Sequence, residues 1–199
     1  MRIGTRTLLF GVHQFLWHPF TIWRAWRWLY GRNPKWWQCI AIFCHDLGYA
    51  GKPNLDGPEG KTHPDGGAAL TERLVKFIFP FTRDTSFNGY YGPSFVASRA
   101  AYWFSRLHSR EYAKQLGETP SQLCWADKAC ILFDPPWLYL LRARLSGELA
   151  EFKTNAEPHI GKVSDEDWLG WYRSRVRCLL RDVDGARSEA LADIDSGKR

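Results

Sequence analysis

The sequence has no apolar segment long enough to cross a membrane, no pair of cysteines spaced C-x-x-C, and no convincing alternation of the β-strand type. Its apolar start, Met1–Tyr30, is interrupted by arginines and histidines, and no small-residue cleavage site follows. No internal repeat or linker divides the chain. These absences exclude an integral membrane protein and a β-rich fold, and they favour one domain over residues 1–199.

Cysteine is present in an odd number, and most of the five residues lie in apolar stretches: Cys39, Cys44, Cys124, Cys130 and Cys178. A disulfide framework requires pairs, so the pattern predicts reduced, buried thiols. Such thiols are typical of a cytoplasmic protein, which is the location that we expect.

Apolar residues recur at helical spacing along almost the whole chain, which predicts an all-α fold. The expected helices are residues 19–30, 36–47, 62–78, 94–116, 119–133, 137–152 and 165–194. Gly-rich or Pro-rich segments separate them, and residues 80–93 form a long connection of the kind that often covers an active site. The apolar start is expected to be an amphipathic helix docked on the core, the alternative being a peripheral membrane face of Trp and Arg.

The formal net charge is +6 and the isoelectric point is about 9.1. A basic surface attracts anions such as nucleotides, although a moderate positive charge also serves solubility alone. We expect a small phosphorylated substrate rather than nucleic acid, and the sequence leaves open whether the chain forms a homo-oligomer.

The adjacent His45 and Asp46 end a strongly apolar segment, where two buried polar groups need a partner. A divalent cation would satisfy both, because imidazole nitrogen and carboxylate oxygen both bind Mn, Fe, Co, Ni or Zn. Further candidate ligands are scattered along the chain: His18, His63, His108 and Asp127. Each is unremarkable alone, and only the ordered set suggests a metal centre.

That ordered set resembles the HD superfamily of metal-dependent phosphohydrolases over roughly residues 13 to 135, with further helices in 136–199. His18 with Ile22, His45–Asp46, His63–Pro64 with Gly67–Ala68, and Asp127–Lys128 resemble its successive motifs. The resemblance implies a compact helical HD-type domain with a binuclear site whose ligands are His18, His45, Asp46, His63, His108 and Asp127. It also implies that Asp46 bridges the two ions.

His13 is an alternative to His18 as the first ligand, and otherwise a partly buried, hydrogen-bonded core histidine. The Gly-Tyr-Pro motif of the cyclic-di-GMP phosphodiesterases is absent after His108, so that substrate is not expected. Tyr49 stands where related sequences usually carry lysine.

The function that the resemblance implies is hydrolysis of a cyclic, dinucleoside or deoxynucleoside phosphate by a metal-activated hydroxide. Fe or Mn are the expected metals, with Mg, Co, Ni and Zn as alternatives. The same ligand set also occurs in di-iron oxygenases of the superfamily. A non-catalytic nucleotide-binding protein is the third interpretation.

Cationic residues near the ligands are candidates for binding phosphate. The expected catalytic residues are His45, Asp46, Arg110 and Lys128. The expected substrate-binding residues are Tyr49, Lys52, Lys61, Arg110 and Lys128. Aromatic residues that could stack on a base are Tyr49, Tyr90, Tyr91, Trp103 and Trp125, while Asp56, Glu59 and His159 are more typical of solvated surface positions.

Overall fold

The computed structural model describes residues 1–81 and 93–182, and within these ranges the chain is all-α without a strand. The predicted fold class is therefore confirmed. In the described ranges, every helix is too short or too polar to serve as a membrane-spanning segment.

The α-helices are α1 (Ile3–Phe10), α2 (Trp17–Tyr30), α3 (Trp36–Cys44), α4 (His63–Ile78), α5 (Pro93–Arg106), α6 (Arg110–Gln115), α7 (Gln122–Cys130), α8 (Pro136–Ser146), α9 (Glu148–Ile160) and α10 (Asp165–Asp182). Short 3-10 turns cover His45–Tyr49, Gly60–Thr62 and Phe79–Phe81.

The main hydrophobic core lies between α2, α7 and the C-terminal helices α8–α10. Ile22 and Trp26 of α2 are fully buried there, opposite Leu123 of α7. A second layer is formed by α4 against α5 and α3. Burying side chains of this size stabilises the fold by about 1.5–3 kcal/mol each, so the two layers hold the helix ends that carry the candidate ligands.

Helix α2 shows how the apolar stripe builds this core. The predicted stripe holds, since Ile22, Trp26 and Leu29 are buried, whereas Trp23 is only partly so. The helix begins at Trp17, two residues before the predicted start at Pro19, and ends at Tyr30, after which Gly31 turns the chain with φ +64°. Starting earlier places His18 in the first turn, on the buried side.

Two segments that were predicted as continuous helices are each broken in the structure. The predicted helix 94–116 splits into α5 and α6, and His108 lies in the break. The predicted helix 137–152 splits at Gly147, whose φ of +88° is unfavourable for residues with a side chain. Periodicity alone hid both breaks, because the apolar spacing continues across them.

Other boundaries also differ. The apolar start, expected to be an amphipathic helix, forms two helices, α1 and α2, and α3 ends at Cys44 because His45–Tyr49 tightens into a 3-10 turn. Pro158 lies inside α9, so His159 belongs to the last turn of that helix and not to a loop. The predicted connection 80–93 and the predicted end of the last helix at Ile194 lie largely outside the described residues.

Candidate metal centre

The six candidate ligands sit at or near helix ends that converge on one buried point. His18 is in the first turn of α2, His63 starts α4, and Asp127 is in α7. His45 and Asp46 open the 3-10 turn after α3, and His108 occupies the break before α6. All are buried except Asp127, which is half-buried.

Their ligand atoms form two groups that share one residue. His18, His45, Asp46 and Asp127 each offer an atom within 4.8 Å of the others, and so do Asp46, His63 and His108. These buried groups could hold metal ions.

Asp46 divides its two oxygens between the groups. Its Oδ2 lies 3.0 Å from His18 Nε2 and 3.2 Å from His45 Nε2. Its Oδ1 lies 3.6 Å from both His63 Nε2 and His108 Nε2. Asp127 Oδ1 is 3.2 Å from His18 Nε2, on the Oδ2 side of Asp46. One carboxylate therefore faces two adjacent ligand sets.

Backbone carbonyls fix the orientation of three imidazoles. Nδ1 of His45, His63 and His108 lies within 2.9 Å of the carbonyl oxygen three residues earlier, that of Ile42, Gly60 and Ser105 respectively. A carbonyl can only accept, so each Nδ1 carries a hydrogen and each Nε2 is turned to the cluster as the atom that would bind a metal. His18 differs, because its Nδ1 faces the Cys130 Sγ at 3.6 Å.

The donor set fits a metal because its polar atoms lack other partners. His63 Nε2 and His108 Nε2 are only 2.9 Å apart, so two lone pairs face each other unless a cation lies between or beside them. The buried atoms His18 Nε2, His45 Nε2 and Asp46 Oδ2 make no hydrogen bond. Such orphaned atoms are costly, and a cation bound by nitrogen and oxygen would satisfy all of them.

The electrostatics of the two sides differ. Burial opposes the charged form of His45, yet Asp46 and Asp127 outweigh it and raise the pKa of His45 to about 9. Burial and the neighbouring His108 lower the pKa of His63 well below its ordinary value. Burial raises the pKa of Asp127 in isolation, but Lys128 and His18 hold it well below the usual range. Asp46 and Asp127 therefore both stay ionised, and the cluster carries negative charge that a bound cation would neutralise.

Two glycines allow the backbones behind the ligands to touch. A Cβ on Gly67 would lie 1.9 Å from the carbonyl oxygen of His45, and one on Gly48 would lie 2.0 Å from that of His63. The start of α4 can therefore pack directly on the His45–Tyr49 turn. This close approach brings His63 next to Asp46.

His13 is engaged elsewhere. Its Nδ1 lies 2.8 Å from Glu148 Oε1 and 2.9 Å from Thr7 Oγ1, and its ring packs edge-on against His18 with centroids 5.2 Å apart. The structure places it beside the centre and outside both ligand groups.

A cavity of about 390 Å³ opens next to the cluster. His18, Asp127, Lys128 and Tyr49 line its inner end. Its opposite wall comes from α9 and α10, and its aromatic members are Phe152, Trp168, Trp171 and Tyr172. Trp168 stacks between Phe152 and Tyr172, with interplanar angles of 8° on both sides.

This wall was missed at the sequence level. The signal was present, since Trp168 and Tyr172 are four residues apart in a predicted helix. Their spacing is equally typical of core packing, so it did not stand out.

Of the five expected substrate-binding residues, two line the cavity and three do not. Lys128 and Tyr49 line it, with the Tyr49 ring stacked on that of His63 at 3.8 Å. Lys52 donates to the Thr62 hydroxyl at 2.6 Å, and Lys61 and Arg110 are exposed. Among the described residues that line the cavity, none of these three appears.

The remaining candidates separate in the same way. Asp56 lines the cavity and accepts a hydrogen bond from Asn155. The exposed His159 also lines the cavity, and its ring stacks on that of Trp171. Glu59 accepts from Asn54 on the surface. Trp125 packs on the core, Trp103 lies under Arg106, and Tyr90 and Tyr91 lie outside the described residues.

The five cysteines are free thiols. Cys44, Cys124 and Cys130 are buried, whereas Cys39 is half-buried and Cys178 is exposed. Burial raises the pKa of Cys44 to about 11 and that of Cys124 to about 12, so neither is a thiolate at neutral pH.

No protein-family model matches the chain, and none of the curated proteins or solved structures matches it either. The all-helical architecture and the buried His/Asp cluster are compatible with an HD-type domain. Membership of that superfamily stays an interpretation of the motifs.

Proposed function

We propose that the protein is a binuclear metal-dependent phosphohydrolase that acts on a small phosphate ester, a nucleotide above all. The observation that carries this proposal is the Asp46 carboxylate, which turns one oxygen to each of two histidine sets, next to a cavity that His18 and Asp127 of the same cluster line.

The residues would divide between two cations. His18, His45 and Asp127 would hold one and His63 and His108 the other, with Asp46 shared. Cations at such a site lower the pKa of a bound water towards neutrality and neutralise charge that develops on phosphoryl oxygens. His45, His63 and His108 present Nε2 without rearrangement, because their Nδ1 hydrogens are already committed to backbone carbonyls.

Lys128 is the side chain best placed to bind a phosphoryl oxygen. Its Nζ lies 3.6 Å from Asp127 Oδ2, and it lines the cavity next to the ligands. Tyr172 in its ionised form and the Asp127 carboxylate raise the pKa of Lys128 against the effect of burial, so the ammonium stays charged at neutral pH. A fixed positive charge at this point favours an anionic substrate and stabilises further charge in the transition state.

The cavity favours a substrate with one phosphate group and one ring. Its volume of about 390 Å³ is at the small end of ligand sites, and the aromatic side chains of Trp171 and Tyr172 line it together with Lys128. Of the described residues that line it, only Lys128 and Arg175 are lysine or arginine, too few to neutralise a polyphosphate chain. Asp56 and Asn155 supply polar groups for sugar hydroxyls.

The test is turnover by the purified protein loaded with Mn²⁺ or Fe²⁺. Nucleoside monophosphates, nucleoside triphosphates, dinucleoside tetraphosphates and cyclic dinucleotides are compared by phosphate release and chromatography. We expect monophosphates to have the highest kcat/KM. Asp46→Asn is the inactive variant, and Asp167→Asn, at an exposed position in the first turn of α10, is its matched control.

The same assay separates the alternatives. Hydrolysis continues without oxygen, whereas an oxygenase consumes oxygen and needs iron. A binding protein would retain nucleotide in equilibrium dialysis and return it unchanged. Absence of turnover of every phosphate compound by metal-loaded protein would overturn the proposal.

A further inference from the structure

The positive charge of the chain is concentrated at one end. Residues 1–45 contain six lysines and arginines and no carboxylate, which leaves 21 basic and 21 acidic residues in 46–199. The whole excess of +6 therefore belongs to the segment that forms α1, α2 and α3.

The outward side of α2 combines this charge with exposed apolar side chains. Leu16, Phe20, Arg24 and Trp28 follow one another at intervals of four and point away from the core. Their apolar members are 59% (Leu16), 45% (Phe20) and 59% (Trp28) exposed. Arg27 lies beside them and is also exposed. The opposite side of α2 is buried in the core, whereas the apolar members of this stripe stay largely exposed within the described part of the chain.

Helix α8 carries a second stripe of the same kind. Trp137, Leu141 and Leu145 also recur at intervals of four, and they are 68%, 44% and 57% exposed. The residues that lead into α8 pack on α2, since Arg24 lies over the Phe133 ring at 5.5 Å and Trp28 meets the same ring at 5.8 Å. The two stripes flank this junction, and together we call them the α2–α8 face.

Neither helix of the α2–α8 face carries a carboxylate of its own, and Asp165 and Glu166, which reach Arg144 of α8, are paired with that arginine. None of α1, α2 and α8 contains Asp or Glu. Asp134, between α7 and α8, is buried, where it accepts from Trp17 Nε1 at 2.8 Å and pairs with Arg142. Exposed leucine and tryptophan with arginine and without carboxylates is the composition of helices that lie in a lipid interface.

We propose that the α2–α8 face binds the surface of an anionic lipid bilayer, with α2 lying in the interface. The leucine, phenylalanine and tryptophan side chains enter the boundary between headgroups and acyl chains, and Arg24 and Arg27 contact the anionic headgroups. A second copy of the chain is a poorer occupant, because a symmetric dimer would bring the same cationic stripes together. The proposal does not depend on the proposed catalytic activity.

Co-sedimentation with vesicles tests it, using full-length protein and vesicles of phosphatidylcholine with or without 30% phosphatidylserine (about one anionic lipid in three). We expect binding to the anionic vesicles that weakens at high salt. Leu16→Glu with Leu145→Glu should reduce the partition coefficient by about tenfold or more. Each of Arg24→Gln and Arg27→Gln should reduce it by about fivefold.

The matched control is Leu116→Glu, an exposed leucine beyond the end of α6 and outside the face. It should bind vesicles like the parent, and circular dichroism should show that all variants remain folded. The proposal fails if the parent does not bind anionic vesicles, or if Leu116→Glu weakens binding as much as the combined Leu16→Glu and Leu145→Glu changes do. It also fails if the parent is a dimer by light scattering that Leu16→Glu with Leu145→Glu makes monomeric, since the face would then be a subunit interface.

Discussion

Glu148 Oε1 lies 2.8 Å from the Nδ1 of His13, a pair that joins positions 135 residues apart. The carboxylate is fully buried and also accepts from the Thr7 hydroxyl at 2.5 Å and from the Val12 backbone N–H at 2.9 Å. The Ser146 hydroxyl, from the last residue of α8, completes the set. One buried carboxylate thus links the N-terminal segment to the C-terminal helices that wall the cavity.

Replacing Glu148 by glutamine should destabilise the fold at neutral pH. Burial alone would raise the pKa of Glu148, but hydrogen bonds from His13, Ser146 and Thr7 outweigh it and lower the pKa. A lowered pKa in the folded state means that the stabilisation is complete above the ordinary pKa of glutamate and is lost as pH falls through the folded value. We expect a loss of about 1–3 kcal/mol at pH 7 that shrinks below pH of about 4.

Urea unfolding of the parent and Glu148→Gln across this pH range measures the difference. Glu157→Gln, on the exposed side of the same helix, is the control and should change the free energy of unfolding little. An equal difference between parent and Glu148→Gln at pH 7 and pH 3 would contradict the assigned role of the ionised carboxylate.

Metal content should fall in steps that follow the two ligand groups. His63→Gln or His108→Gln should remove one metal per chain, and Asp127→Asn should remove the other. Each of these three residues belongs to one ligand group only. Asp46→Asn should weaken both. Elemental analysis after dialysis gives the stoichiometry, with His159→Gln as the histidine control outside both groups. Loss of all metal from every variant alike would indicate one site instead of two.

His13 and His18 should behave differently in the same measurement. His18 Nε2 lies 3.0 Å from Asp46 and 3.2 Å from Asp127, whereas His13 Nδ1 is committed to Glu148. His18→Gln should therefore lower metal affinity by at least about tenfold, and His13→Gln should keep the metal while lowering the melting temperature. The reverse result would make His13 the first ligand.

The helical fold and the identities of the candidate ligands could be predicted because both depend on local patterns. The stripe of Ile22, Trp26 and Leu29 sets the buried side of α2, and polar residues such as His45 and Asp46 are conspicuous in an apolar segment. The residues around the ligands could not be predicted from local patterns. His13 packs on His18 and is held by Glu148, which comes next to it only in the folded chain.

The cavity shows the same limit. Lys52, Lys61 and Arg110 are close in sequence to the candidate ligands, and on that basis they were expected to bind substrate. The structure instead fills the cavity wall from α9 and α10, which are far along the chain. Closeness in sequence to a ligand does not indicate which way a side chain points at a helix end. Lys128, next to Asp127, lines the cavity, whereas Arg110, two residues after His108, does not.

Lys128 should therefore matter for activity and the other cations should not. Lys128→Met removes the ammonium that lies 3.6 Å from Asp127 Oδ2 and should lower kcat/KM for a nucleoside monophosphate by about 100-fold. Lys52→Met and Arg110→Met should change it by less than about threefold, because neither residue lines the cavity. Steady-state kinetics on metal-loaded protein decides, and equal effects of all three changes would remove Lys128 from the proposed role.

The contact between Gly67 and His45 gives the strictest test of how the centre is assembled. A methyl group at position 67 would lie 1.9 Å from the His45 carbonyl oxygen, and since that atom is backbone, α4 must move away from the His45–Tyr49 turn. We expect Gly67→Ala to cost about 1–3 kcal/mol, to lower the melting temperature by about 2–12 °C, and to weaken metal binding, because His63 moves with α4.

Gly170→Ala is the matched change, since nothing lies within 4 Å of its Cβ and a helical alanine should stabilise α10 by up to about 1 kcal/mol. Calorimetry with and without metal separates packing from ligation: a Gly67→Ala protein that binds metal like the parent would show that this close approach does not position His63.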